Sequence, residues 1–224
     1  MSEAGRELVT RADVEEVIST GRGYDRFVNF SDAVVAIAIT LLGLPLVDIA
    51  TPEHDQSVLE VLGEHAGQLS AFAYTFLVVT SLWAAHNRVF GNIRAYNTPL
   101  VWLNALFLAA IVFLPFPSEW VGEAGWSHGK GAFYLVTLAI ASGSLLLIVL
   151  YARSRPRLLE EFARADGLAP LGLRRSALFT GFFVVMILPA SFWPDTAMYL
   201  MLLIIPLGRL DQYLERKARA ARAD

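Results

Sequence analysis

The chain has 224 residues, a formal net charge of −3 and a composition that is 55% hydrophobic. A mean hydropathy of +0.50 is too apolar for an ordinary soluble domain of this length, and no nucleic-acid partner is expected of it. There is no cysteine, which excludes disulfides, thiolate metal sites and thiol catalysis.

The first 25 residues are polar and charged, with no apolar core of the kind a cleavable signal peptide needs. They are expected to form a cytoplasmic segment. Positions 8–20 read either as a short amphipathic helix, with Val14 and Ile18 on one side, or as a disordered tail. Apolar blocks then recur at 27–47, 67–90, 99–117, 131–151, 173–192 and 196–210, the last being short for a span. About 20 apolar residues in helical form cross a hydrocarbon core of roughly 30 Å. Barrel strands would be shorter and would alternate in polarity, which these blocks do not. The fold class expected is all-α: an integral membrane protein with six transmembrane helices over 26–210 and a charged cytoplasmic tail at 211–224.

The basic residues orient these spans. Arg6, Arg11, Arg22 and Arg26 precede the first block, Arg88 and Arg94 follow the second, and Arg153 to Arg175 lie between the fourth and fifth. Arg209 and the basic tail follow the sixth. Of the 18 Lys and Arg residues, only Lys130 falls on the opposite side. This positive-inside pattern puts both termini in the cytoplasm. The opposite loops carry Asp48, Glu53, Asp55, Glu60, Glu64, Glu119, Glu123 and Asp195. They read as solvated loop charge or as a mild cation-attracting field.

At the first block, Arg26 and the run Phe30-Ser31-Asp32 stand at the mouth of an apolar helix. Charge at such a place needs a partner or water. Ser31 and Asp32 are good helix-start residues, but a helix beginning nearer Tyr24 would put Asp32 inside it and in need of an interhelical partner. Arg26 is the nearest cation, although six positions is a poor helical spacing. Further along, Ile37, Thr40 and Leu44 share a stripe that Ala33 and Leu41 extend. It reads as ordinary helix packing or as a hydrophobic constriction with one hydroxyl ring.

The second block ends Trp83-Ala84-Ala85-His86-Asn87-Arg88. Trp83, His86 and Asn87 lie at i, i+3 and i+4, at the level expected for Asp32, and each can bond a carboxylate. The alternative is an interfacial aromatic belt. In the third block, Asn104 has either a cross-helix partner or a backbone contact, and Pro115 and Pro117 read as a helix stop. The chain has no Walker A sequence, dinucleotide turn, nucleophile elbow or TVGYG filter, so no enzymatic activity and no cofactor are expected.

Arg26 with Phe30-Ser31-Asp32 and Ala36-Ile37-Ala38-Ile39-Thr40-Leu41-Leu42 closely resembles the first helix of the transmembrane protein 175 potassium channel family. Trp83…His86-Asn87-Arg88, Trp102-Leu103-Asn104 and Leu114-Pro115-Phe116-Pro117 also look like that family, so the resemblance covers about residues 24–117. Ala33 and Asn87 depart from it, where Gly and a second His are common. The resemblance implies a leak-like, potassium-selective channel in a bacterial inner membrane, built as a homotetramer of single-repeat subunits. It implies a pore lined by the first helix, with Ile37, Leu41 and Leu44 as constriction and Thr40 as a transient potassium contact. Arg26, Phe30, Ser31, Asp32, Trp83, His86, Asn87 and Asn104 would form the supporting network, chiefly through Arg26 and His86 on Asp32. The potassium ion and the lipid bilayer are the partners implied. The competing reading is a secondary transporter moving a small solute by alternating access.

Overall fold

The computed structural model describes residues 19–49, 56–125, 129–159 and 172–193. The block at 196–210, the segment before residue 19 and the tail lie outside them. Helix α1 (Arg22–Leu41) is followed by the short α2 (Leu44–Asp48), and together they make the first apolar span, Arg22–Val47. Helix α3 (Val58–Glu64) is short and precedes α4 (Ala66–Phe90), the second span. Helices α5 (Thr98–Phe113) and α6 (Pro115–Ala124) form the third. Helices α7 (Lys130–Ser154) and α8 (Leu173–Phe192) are the fourth and fifth. All five are long and apolar enough to cross a membrane.

Two boundaries differ from the sequence reading. Helix α1 starts at Arg22, so Ser31 and Asp32 are interior residues and not caps. The helix does stop at Phe113, but it resumes at Pro115. Proline is tolerated in the first turn of a helix because its missing N–H has no intrahelical partner to lose. The span therefore continues to Glu123.

The fourth span is the centre of the bundle. Of its apolar stretch 56% is buried, against 22% for the first span. Tyr134, Leu135, Leu138, Ala141, Leu145 and Ile148 run down its length at helical spacing and are fully enclosed. It packs on α5, α6, α4 and α8. The small residues Ala141, Ser142, Gly143 and Ser144 allow close approach, which replaces the hydrophobic drive that lipid cannot supply. A hydroxyl cluster ties three spans together. Thr75 of α4 lies 2.8 Å from Ser118 of α6 and 2.8 Å from Tyr134 of α7.

One end of the bundle is clasped by its loops. Strand β1 (Ser19–Thr20) pairs antiparallel with β2 (Ala95–Tyr96) in the loop between α4 and α5. Tyr24 donates its hydroxyl to the Phe90 carbonyl, and Phe27 stacks on Tyr96 at 4.7 Å. The same loop is held from the other side. The Arg94 N–H donates to the Leu158 carbonyl at 2.9 Å, and Ile93 bridges Leu159. This clasp gathers the start of α1, the α4–α5 turn and the end of α7 at one end, and Lys130 opens α7 at the other. At the Lys130 end, Ser57 and Glu60 form a reciprocal capping box on α3. The Ser57 backbone N–H holds the exposed Glu60 carboxyl below its ordinary range.

At that end α4 and α6 cross with almost no separation. A Cβ on Gly67 would sit 2.6 Å from the Gly122 carbonyl oxygen, and one on Gly122 would sit 3.0 Å from the Gln68 Cα. Backbone would have to move to admit either. Gly67→Ala should therefore lower stability by about 1–3 kcal/mol, read as a fall in the thermal midpoint in detergent. Gly63, inside α3 and facing open space, is the control: Gly63→Ala should be neutral or slightly stabilising. Matching midpoints for the two variants would show that the crossing is looser than this.

Candidate functional site on the first span

The two faces of α1 have opposite fates. Tyr24, Ser31, Val35 and Ala38 are buried, and Leu42 continues the series beyond the helix end. This face packs on α5 and α4. On the other face, Phe30 is 62% exposed, Ile37 60%, Leu41 42% and Leu44 61%, and Ala33, Ala36 and Thr40 are exposed with them. Residues three and four apart lie one above another on a helix. The result is an apolar stripe running about 10 Å from Ile37 to Leu44.

Thr40 interrupts the stripe in a particular way. Its hydroxyl donates to the Ile37 carbonyl at 2.7 Å. The proton is turned back into the helix, so what the hydroxyl presents outwards is oxygen lone pairs. A group in that state can coordinate a cation but has no donor for an anion.

The buried face is fixed by a directed hydrogen-bond chain. The Asn104 Nδ2 of α5 donates to the Ser31 Oγ at 2.8 Å, and Ser31 donates on to the Phe27 carbonyl at 3.1 Å. Asn104 therefore offers its Oδ1 as acceptor, and the His86 Nε2 of α4 lies 2.8 Å from it. That assigns the ring proton to Nε2. His86 is enclosed, its ring stacked between Phe90 at 4.2 Å and Phe107 at 4.9 Å. Three spans are thus joined through one histidine, one amide and one hydroxyl.

Asp32 belongs to a second, separate group. Half-buried, it accepts from the Trp83 Nε1 at 2.9 Å. With the Asn87 amide turned so that its nitrogen faces the carboxylate, Asn87 donates to the same oxygen at 3.0 Å and accepts from Trp83 at 3.2 Å. Trp83, His86 and Asn87 do share one face, but they serve two residues of α1 and not one. His86 goes to Ser31 by way of Asn104, and Trp83 and Asn87 go to Asp32.

The pairing expected between Asp32 and Arg26 is not formed. Arg26 is exposed, and among the described residues it has no ion pair with Asp32. Six helical positions turn the two side chains to different faces, as the spacing warned. Nothing in the sequence points to the Thr75–Ser118–Tyr134 cluster. Isolated hydroxyls in apolar runs carry no signal of partnership, and only the sequence-distant crossing of α4, α6 and α7 brings these together.

Among the described residues, five apolar spans, the first four of them joined by buried polar links, define a multi-pass helical membrane protein. Residues 26–115 match the family model described as the endosomal/lysosomal potassium channel TMEM175. A potassium channel of Streptomyces collinus is 35% identical over 119 residues, covering 50% of this chain and 56% of that protein. A potassium channel of a Chryseobacterium species is 26% identical over 200 residues, covering 85% and 97%. The human endosomal/lysosomal proton channel TMEM175 is 34% identical over 139 residues, covering 60% and 27%. The chain thus spans about half the length, or less, of several curated relatives that it matches. The crystal structure of a lysosomal potassium-selective channel TMEM175 homolog from Chamaesiphon minutus shares the fold. The TM-score is 0.62 at 22% identity, covering 85% of this chain and 98% of that one.

Asn104 sits at the junction of the buried chain, so its loss strands two partners at once. Asn104→Ala should cost about 1–3 kcal/mol, whereas Asn29→Ala on the exposed side of α1 should cost almost nothing. Thermal unfolding of the two purified variants checks this. Equal midpoints would mean that the chain does not bind the spans together.

Proposed function

We propose that this chain is one subunit of a cation channel that passes potassium, with four copies arranging their first spans around a shared pathway. Among its relatives are proteins named as potassium channels, and the observation that carries the reading to this chain is the two-faced first span. One face is locked to α4 and α5 by buried polar links, and the other leaves Ile37, Thr40, Leu41 and Leu44 open. A lining helix needs that combination of a rigid back and an unpartnered front.

In this reading Ile37, Leu41 and Leu44 form narrow apolar rings that resist wetting and bind no ion. The four Thr40 oxygens, their protons turned inwards, replace part of the hydration shell of a passing cation. That favours potassium, which sheds water more cheaply than sodium. The Arg-rich end, marked by the loop clasp, faces the cytoplasm of a bacterial cell. A transporter of small solutes needs an internal chamber. Among the described residues, the crevice lined by Ser81, Ser142 and Ser176 and that lined by Gln68, Ser118 and Gly122 each have room for about one water.

Purified protein in liposomes under a potassium gradient should carry potassium in preference to sodium, with protons tested alongside because vertebrate relatives are named proton channels. Ile37→Asn should raise conductance and weaken selectivity. Thr40→Ala should reduce the preference for potassium with assembly intact, and Ile39→Ala, on the half-buried side, should do neither. Unchanged conductance and reversal potential in both Ile37→Asn and Thr40→Ala would remove the pathway from this stripe.

A further inference from the structure

At the end of the bundle opposite the loop clasp, the third and fourth spans expose a cluster of aromatic rings that the pathway does not use. Phe113, Phe116 and Trp120 follow one another along α5 and α6, and Phe133 faces them from the first turn of α7. Phe116 lies 5.1 Å from Trp120, Phe113 lies 5.9 Å from Phe133, and Trp120 lies 6.1 Å from Phe133, measured between ring centres. None is buried: their exposures run from 36% for Phe133 to 48% for Phe116. The Lys130 ammonium stands 5.9 Å from the centre of the Trp120 ring.

Two things mark this as more than scattered surface apolarity. Lys130 makes no ion pair among the described residues. Glu119 and Glu123 are on the neighbouring helix, yet neither pairs with it. The cluster also has depth. Seven helical positions from Phe113 to Trp120 span about 10 Å along the axis, with the cation at the shallow end. Below Phe133, Val136 and Ile140 continue the exposed strip at helical spacing.

We propose that this surface is a binding site for a phospholipid with a net-negative headgroup. Its phosphate lies against Lys130 and its glycerol region against Trp120. One acyl chain runs down over Phe116, Phe133 and Phe113. The charge order, cation outermost and then indole and then phenyl rings, is that of such a lipid read from head to tail. Indole and ammonium groups are the side chains that settle at this depth. The inference rests on the membrane-spanning fold and not on which ion passes.

Brominated lipids test it, because bromine quenches indole fluorescence only at close range. The full chain is placed in vesicles of phosphatidylcholine and phosphatidylglycerol, with one or the other brominated. The Trp120 signal is the difference between the native protein and Trp120→Phe, checked against Trp120→Tyr. Brominated phosphatidylglycerol should quench that signal at about fivefold lower mole fraction than brominated phosphatidylcholine, the effect of one cation at a headgroup. Lys130→Gln should abolish the preference and Lys130→Arg should keep it. No quenching by either lipid would mean that another protein surface covers the patch, and would overturn the proposal. Equal quenching by both lipids in the native protein would overturn it too, leaving a plain aromatic belt. So would a preference that survives in Lys130→Gln.

Discussion

The chain His86–Asn104–Ser31 is the constraint on which the rest of this bundle depends. In lipid the hydrophobic effect does not drive helix against helix, so position has to come from packing and from polar groups with nowhere else to go. Each member here has a defined role: an imidazole N–H that donates, an amide that accepts and donates, and a hydroxyl that passes the direction on to the Phe27 carbonyl. Reversing any one bond leaves two donors or two acceptors facing each other. The chain therefore fixes the rotation of α1 about its own axis as well as its distance from α4 and α5.

Rotation matters because α1 has little else to hold it. Its apolar stretch is among the less buried of the five, and α7 carries most of the core. Turn α1 by the angle between adjacent residues and Ile37 would leave the open face. The clasp at the Arg-rich end supports the same rotation from outside, through Tyr24 on Phe90 and Phe27 on Tyr96. Asp32 with Trp83 and Asn87 adds a contact at the boundary between the buried and open faces. These three devices, gathered in the first half of the helix between Tyr24 and Asp32, act on one degree of freedom.

The spans were legible in the sequence because lipid imposes length and polarity on whole segments, and five of the blocks recur within a few residues of the helices. The open stripe was legible too, since 3.6-residue spacing alone puts Ile37, Thr40 and Leu44 together. What spacing does not carry is the partner across a helix crossing. It brought Trp83, His86 and Asn87 to one face but gave no means of dividing them between Asp32 and Asn104. It offered Arg26 to Asp32 on charge, and the helix turned them apart. The close crossing at Gly67 and Gly122 depends on a contact between residues far apart in sequence, which no local pattern records.

The open stripe has a thermodynamic consequence for how such a protein is built. While a subunit is alone in the bilayer, Ile37, Leu41 and Leu44 rest against acyl chains, a solvent that suits them. In the proposed ring, closing copies round a common axis would take those side chains out of lipid and turn them to a narrow lumen, at roughly 25 cal/mol for each Å² that water reaches. That step would be uphill for every subunit. In the proposed ring the lining residues would oppose closure, and whatever held it closed would have to be supplied by other surfaces of the chain. Subunits with a more polar lining would assemble more readily and hold back ions less well.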